Sequence, residues 1–133
     1  MTAQDLPKDI RVLIVEDDYL AASDAEAVLT ESGIDVVGIA SSADEAVRLA
    51  KNLRPSLVLM DIRLIGSRDG VDAAIELFRN YGIRSVFATA HHDPYVRARA
   101  EPAAPLGWLA KPYTTHALVA VVRSAVAELK RSK

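Results

Sequence analysis

Short apolar runs alternate with amphipathic stretches along the whole chain. The runs occupy residues 12–15, 36–39, 57–60, 85–88 and 106–109. None of them alternates regularly between apolar and polar positions, which is typical of strands that are buried on both faces. The stretches between the runs carry apolar residues three and four positions apart, and this spacing predicts helices.

Local end signals mark the first two predicted helices. In the first helix the predicted apolar stripe runs from Leu20 to Leu29, through Ala21, Asp24, Ala25 and Val28. Gly33 follows that stripe at a position typical of a helix C-terminus. In the second helix, Ser42 followed by Glu45 predicts a capping box.

Apolar spacing predicts two further helices, at residues 71–78 and 118–129, and a helix with an arginine-rich polar face is expected between them at 93–101. The fourth helix should be short, because Pro102 and Pro105 crowd its end. The fifth helix has Thr114 or Thr115 as its N-cap.

Strand and helix thus alternate five times, which predicts an α/β fold with a parallel sheet and helices on both faces. The crossovers should be right-handed. We expect one domain over residues 10–130, preceded by a polar N-terminal extension at 1–9 and followed by a basic tail at 131–133.

Composition narrows the class of protein. Half of the 133 residues are hydrophobic and 26% are charged, which excludes a disordered chain and a membrane-embedded one. The net charge of −2 gives no support for nucleic-acid binding, and without cysteine there is neither a disulfide nor thiolate chemistry. The N-terminus lacks the apolar core of a signal peptide, so we expect a soluble cytoplasmic protein.

Charged and hydroxyl side chains follow four of the predicted strands. They are Glu16 and Asp17 after the first, Asp61 after the third, Thr89 after the fourth and Lys111 after the fifth. The carboxyl ends of parallel strands share one edge of the sheet, so we expect these side chains to converge. Clustered carboxylates repel one another unless a cation binds, and their hard oxygens suit Mg²⁺. The set predicts phosphoryl transfer to an aspartate nucleophile, with a lysine as the point charge.

Each of these residues alone has an ordinary structural explanation. An acidic run after a strand is usually the N-terminus of a helix, and a lone aspartate is usually a cap or a turn residue. The specific signal is the ordered set, in which several strand ends each contribute one chemical group.

That ordered set resembles the receiver domain of two-component response regulators, over residues 11–129. The resemblance is carried by Val-Leu-Ile-Val-Glu-Asp-Asp at 12–18, Leu-Val-Leu-Met-Asp at 57–61, Phe-Ala-Thr at 87–89 and Gly-Trp-Leu-Ala-Lys-Pro at 107–112. It implies a doubly wound, flavodoxin-like (βα)5 fold with a five-stranded sheet in the order 2-1-3-4-5.

The resemblance also implies a set of site residues. Asp61 would be phosphorylated. Asp17 would bind Mg²⁺ (or Mn²⁺) directly and Glu16 mainly through water, with the backbone carbonyl of Arg63 as a further ligand. Lys111 would pair with the phosphoryl group or, in its absence, with Asp61.

The same resemblance implies roles for further residues. Thr89 would bind the phosphoryl group as part of the switch, and Pro112 would follow a cis peptide bond. Trp108 stands at the aromatic switch position, where relatives usually have Tyr or Phe. Arg63 and His91 stand where relatives tune the lifetime of the phosphoryl group, although exposed loop residues are the alternative interpretation.

The implied partners are a sensor histidine kinase or a histidine phosphotransferase, and a protein target that binds through the fourth helix, fifth strand and fifth helix. Relatives also form homodimers through that surface. No nucleic acid or membrane partner is expected. The sequence contains no output domain after the fifth helix, which favours a stand-alone receiver.

Two alternative functions remain open. The first is a receiver-like interaction module that is never phosphorylated; such modules usually lose the aspartate, an acidic residue or the lysine, and all three are retained here. The second is an aspartyl-phosphate phosphohydrolase, whose common signature needs a second aspartate where this chain has Arg63.

Overall fold

The computed structural model describes residues 9–132, which form five strands and five α-helices. The strands are β1 (Arg11–Val15), β2 (Asp35–Ala40), β3 (Leu57–Asp61), β4 (Ser85–Thr89) and β5 (Gly107–Ala110). The helices are α1 (Tyr19–Glu31), α2 (Ala43–Leu53), α3 (Gly70–Tyr81), α4 (Pro94–Ala100) and α5 (Thr115–Arg131). A short 3₁₀ turn, Glu101–Ala103, follows α4.

The predicted terminal segments lie mostly outside the described residues. Of the N-terminal extension only Asp9 is described, and of the basic tail Lys133 is not. Helix α5 includes Arg131, the first residue of that tail.

All strand pairs in the sheet are parallel, and the strand order is β2-β1-β3-β4-β5. The predicted fold class and strand order are therefore confirmed. Asp61 pairs in register with Ala88, and Thr89 pairs with Ala110. This register brings the ends of β3, β4 and β5 to one edge, which is where the functional site forms.

The core consists of two hydrophobic layers, one on each face of the sheet. Leu13 and Val15 belong to the layer that α2 and α3 cover, whereas Val12 and Ile14 belong to the layer that α1 and α5 cover. All four side chains are at most 1% exposed. Burial on both faces explains why the strands appear in the sequence as continuous apolar runs.

The predicted stripe of α1 is wrong at Leu20 and Asp24, which are both exposed, and it omits Ala22. Leu20 is 73% exposed, and the fully buried residues of α1 are Ala22, Ala25 and Leu29. Successive helical residues are about 100° apart, so Leu20 lies about 200° around the helix from Ala22 and points away from the sheet.

The predicted capping box of α2 is only half formed. Ser42 Oγ accepts a hydrogen bond from the Glu45 N–H at 3.1 Å, but the Glu45 carboxylate accepts from the Ser41 N–H at 2.7 Å. A reciprocal capping box forms instead at α3, between Asp69 and Asp72. The sequence rule looks for Glu or Gln as the second residue, and it therefore overlooked an aspartate.

Ser85 is a buried polar residue without a visible partner, and replacing it should stabilise the fold. Its side chain is fully buried, and its hydroxyl makes no hydrogen bond within the described residues. Because an unpaired buried hydroxyl costs free energy, Ser85→Ala should raise the unfolding free energy by about 1 kcal/mol in urea titrations. Ser56→Ala is the control and should destabilise, since the Ser56 hydroxyl accepts from the Arg11 N–H at 3.0 Å. A loss of stability in Ser85→Ala would show that the hydroxyl is hydrogen-bonded in solution.

Candidate functional site

Three carboxylates converge at the carboxyl edge of the sheet. Glu16 follows β1, Asp61 ends β3, and each is only 7% exposed, whereas Asp17 is exposed. One oxygen from each carboxylate lies within 4.8 Å of the other two. The convergence arises because β1 and β3 are neighbouring parallel strands whose ends lie side by side.

Lys111 contacts two of these carboxylates. Its Nζ lies 2.6 Å from Glu16 Oε1 and 3.3 Å from Asp61 Oδ2. The resemblance implied Asp61 as its partner in the absence of phosphorylation, and the structure adds Glu16 at the shorter distance. The Lys111–Pro112 peptide bond, directly after this lysine, is cis.

Asp18 lies next to the cluster but serves the helix. Its Oδ1 accepts hydrogen bonds from the N–H groups of Leu20 at 3.0 Å and Ala21 at 3.3 Å, which makes it the N-cap of α1. Its own N–H donates to Glu16 Oε2 at 3.2 Å. The start of α1 therefore orients the second oxygen of Glu16, while the first oxygen binds Lys111.

The two buried carboxylates have pKa values shifted in opposite directions. Burial, with the adjacent Glu16 carboxylate adding to it, raises the pKa of Asp61 to about 6, although Lys111 opposes the shift. Burial also acts to raise the pKa of Glu16, but the hydrogen bond and charge of Lys111 lower it overall. Glu16 therefore carries its negative charge in mildly acidic solution, and Asp61 becomes ionised as the pH approaches neutrality.

The donor set fits a small divalent cation. Three carboxylates face one ammonium group, so negative charge is in excess, and burial together with Glu16 raises the pKa of Asp17. Carboxylate oxygens are the donors that Mg²⁺ and Mn²⁺ prefer. Glu16, Asp17 and Asp61 would hold the ion, and the charge of the cation would relieve their mutual repulsion.

Thr89 and His91 interact with each other rather than with the carboxylates. The Thr89 hydroxyl donates to the His91 carbonyl at 3.2 Å and accepts from the His91 N–H at 3.3 Å. The side chains of His91 and Arg63 are both exposed. The Thr89 hydroxyl is therefore engaged by the backbone of its own loop.

Trp108 packs against two side chains. Its ring stacks on Phe87 with centroids 4.9 Å apart, and the guanidinium of Arg97 lies 4.5 Å above the indole. A change in the position of Trp108 would therefore disturb its contacts with Phe87 and Arg97.

Gly70 is a site residue that the sequence interpretation missed. A Cβ at this position would overlap the carbonyl oxygen of Asp61, and the Gly70 N–H donates to the Ile62 carbonyl at 2.8 Å. The N-terminus of α3 thus rests directly on the backbone of Asp61. A glycine just before the apolar stripe of a predicted helix was the available signal for such a close approach.

Fold and site together define a receiver-type domain, in which an acidic cluster and one lysine lie at the carboxyl edge of a doubly wound sheet. A family model described as response regulator receiver domain matches residues 12–123. The chain belongs to this family, whose members are signalling domains of two-component response regulators.

Known proteins similar to this chain include two curated regulators. Over 120 residues it is 36% identical to the transcriptional regulatory protein PdtaR of Mycobacterium tuberculosis, covering 90% of this chain and 58% of PdtaR. Over 117 residues it is 35% identical to the phyllosphere-induced regulator PhyR of Methylorubrum extorquens, and the match covers 86% of this chain and 43% of PhyR. The chain therefore spans about half the length of these relatives.

Among solved structures, the receiver domain of a modulated diguanylate cyclase from Desulfovibrio desulfuricans G20 superposes with a TM-score of 0.84. The two sequences are 37% identical, and the superposition covers 92% of this chain and 98% of that domain.

Proposed function

We propose that this protein is a response regulator that accepts a phosphoryl group on Asp61, with Mg²⁺ or Mn²⁺ bound by Glu16, Asp17 and Asp61 and by the Arg63 carbonyl. The donor is a sensor histidine kinase or a histidine phosphotransferase. The observation that supports this most strongly is the buried Asp61 carboxylate at the end of the central strand, next to two carboxylates and one lysine.

In the proposed reaction, one Asp61 oxygen attacks the phosphorus atom of a phosphohistidine. The phosphorus–nitrogen bond breaks, its electron pair remains on the imidazole nitrogen, and that nitrogen takes up a proton. The product is an acyl phosphate on Asp61. With a pKa of about 6, the Asp61 carboxylate is mostly ionised at neutral pH and is available as the nucleophile. A bound divalent cation would neutralise charge that develops on the phosphoryl oxygens.

Two residues of the chain would bind the transferred group. Lys111 Nζ is already 3.3 Å from Asp61 Oδ2, so its ammonium can follow the charge onto a phosphoryl oxygen. Thr89 would exchange its hydrogen bond with His91 for one with the phosphoryl group, which would shift the loop that leads into α4. Trp108 would then repack to a limited extent, because Phe87 stacks on its ring and the Arg97 guanidinium lies over it.

Labelling by a small phosphodonor tests the acceptor residue. Acetyl phosphate with Mg²⁺ should add one phosphoryl group to the wild type and none to Asp61→Asn, as measured by intact-mass spectrometry. The control is Asp35→Asn, which removes an exposed carboxylate on β2 and should be labelled like the wild type. Equal labelling of Asp61→Asn would rule out Asp61 as the acceptor. A wild type that binds Mg²⁺ but is labelled by no small donor and no kinase would favour the unphosphorylated interaction module.

Removal of a ligand carboxylate tests the metal site. A cation that binds only the folded state should raise the unfolding free energy, by about 2.7 kcal/mol at one hundred times its Kd. Asp17→Asn should weaken this response and stabilise the metal-free protein, because one repelling charge is removed. Asp18→Asn is the matched control, since asparagine can still cap α1 and the three carboxylates of the proposed metal site are unchanged. An undiminished Mg²⁺ response in Asp17→Asn would exclude Asp17 from the site.

Output through a protein contact completes the proposal. Helix α4 exposes Tyr95 at 86%, and α4 lies beside β5 through the contact of Arg97 with Trp108. The α4-β5-α5 surface would bind the target protein, and it could also pair two copies of the chain.

The proposal includes neither a nucleic acid nor a membrane partner, and it places the protein in the cytoplasm. Within residues 9–132, no helix combines the length and apolar character needed to cross a bilayer.

A further inference from the structure

Helix α4 has little apolar attachment to the rest of the domain. Ala100 is the only one of its residues that is fully buried, and Tyr95 is 86% exposed. Besides Ala100 and the partly buried Val96, which packs against the core, polar contacts hold this helix in place. One of them is the guanidinium of Arg97, which covers the ring of Trp108 on β5.

A second arginine of α4 reaches the start of α3. Arg99 forms an ion pair with Asp69 and another with Asp72, the latter at 3.3 Å. These two aspartates are the two halves of the α3 capping box. Although burial acts to raise the pKa of Asp69, the contact with Arg99 lowers it, as expected for a carboxylate paired with a cation. We call the contact of Arg99 with Asp69 and Asp72 the Arg99 clasp.

The clasp lies close to the proposed phosphoacceptor. Asp69 immediately precedes Gly70, and Gly70 packs directly on the backbone of Asp61. The other end of α4 is also tied to the site, because residues 90–93 connect it to Thr89 and Asp93 caps its first turn. Helix α4 is thus connected to the site at its N-terminal end and held against α3 at its C-terminal end.

We infer that the Arg99 clasp acts as a brake: it opposes the displacement of α4 that accompanies phosphoryl binding at Asp61, and it thereby lowers the affinity of the site for the phosphoryl group. This inference rests on the proposed function, in which Thr89 moves toward the phosphoryl group and pulls the loop at residues 90–93. A contact that exists in one arrangement and is strained in the other lowers the affinity of the ligand that favours the second. The three side chains are 32–44% exposed, so the brake changes affinity by only about threefold.

Hydrogen exchange in the metal-free, unphosphorylated protein tests whether the clasp holds α4. In Arg99→Gln the α4 amides should exchange about threefold faster than in the wild type, because local opening becomes easier. Arg123→Gln removes an exposed arginine of α5 and should leave α4 exchange unchanged. Asp72→Asn removes the longer of the two ion pairs and should give a smaller part of the effect, and the double variant should exchange no faster than Arg99→Gln alone. Unchanged α4 exchange in Arg99→Gln would overturn the inference.

Titration with beryllofluoride and Mg²⁺ tests whether the clasp acts as a brake. Arg99→Gln should bind beryllofluoride about threefold more tightly than the wild type and Arg123→Gln, as measured by calorimetry. Unchanged or weaker binding would overturn the brake, even where α4 exchange is faster, because the clasp would then be a structural contact only. A wild type that binds no beryllofluoride and accepts no phosphoryl group would overturn both the brake and the proposed function. Normal binding without an effect of Arg99→Gln would overturn the brake alone.

Discussion

Gly70→Ala is expected to lower the unfolding free energy by about 3 kcal/mol and to abolish phosphoryl acceptance. The added Cβ would overlap the carbonyl oxygen of Asp61, and it would lie 2.9 Å from the Asp61 carbonyl carbon and 3.0 Å from the Ile62 Cα. All three atoms belong to the backbone, so no flexible side chain can move aside. Relief requires the start of α3 or the end of β3 to shift, and the end of β3 carries the acceptor carboxylate.

Urea unfolding and acetyl phosphate labelling would measure these two effects. Gly38→Ala is the matched control, because its Cβ would meet the side-chain carbons of Leu13 and Leu53 at 3.4 Å, an ordinary contact. We expect little change in that variant. If Gly70→Ala were as stable and as readily labelled as Gly38→Ala, the close packing of α3 on Asp61 would be refuted.

Lys111→Met should also destabilise the metal-free protein strongly, by about 3 kcal/mol at neutral pH. Lys111 is the cation that the buried carboxylates of Glu16 and Asp61 share, and removing one member of a buried ion pair leaves an uncompensated charge. Lys51→Met, at an exposed position of α2, is the control and should change stability little. Addition of Mg²⁺ should reduce the difference in unfolding free energy between Lys111→Met and the wild type, because the cation supplies the missing positive charge.

The loss of unfolding free energy in Lys111→Met should depend on pH, and the pKa shifts of the two buried carboxylates set its direction. In the wild type the pKa of Glu16 is lowered, so its ionisation stabilises the fold above its ordinary value of 4.5 and that contribution is lost as the pH falls. The raised pKa of Asp61 acts oppositely, and its ionisation costs stability as the pH rises from 3.8 to about 6. Without Lys111 both carboxylates should titrate above their unfolded values, so the stability of Lys111→Met should fall as the pH rises.

Urea titrations between about pH 4 and pH 8 would follow this dependence, a range chosen to span both carboxylate titrations. The deficit of Lys111→Met relative to the wild type should be smallest at the acidic end and largest above the pKa of Asp61. A deficit that is constant with pH would instead show that Lys111 stabilises the fold through the packing of its aliphatic stem.

Hydrophobic patterning accounts for most of the secondary structure. The apolar runs predicted all five strands to within a residue or two, because a strand that is covered on both faces must be apolar throughout. The strand order did not follow from that pattern; it came from the resemblance of the motifs at the strand ends, and the structure confirms it. The exposed face of α1 was partly misassigned, since alanine-rich turns leave more than one stripe compatible with burial.

The sequence by itself determined which chemical groups stand at the carboxyl edge, because parallel strands leave their final residues at one side of the sheet. Glu16, Asp17, Asp61 and Lys111 could be selected as candidates on that ground alone. Only the tertiary structure decided that Lys111 lies closer to Glu16 than to Asp61, and that Thr89 is turned toward its own loop. It also decided that Gly70 rests on Asp61 and that Arg99 joins α4 to α3. These contacts depend on side-chain rotamers and on how helices that are distant in the chain pack together. The same pattern of apolar and polar residues is compatible with more than one such arrangement.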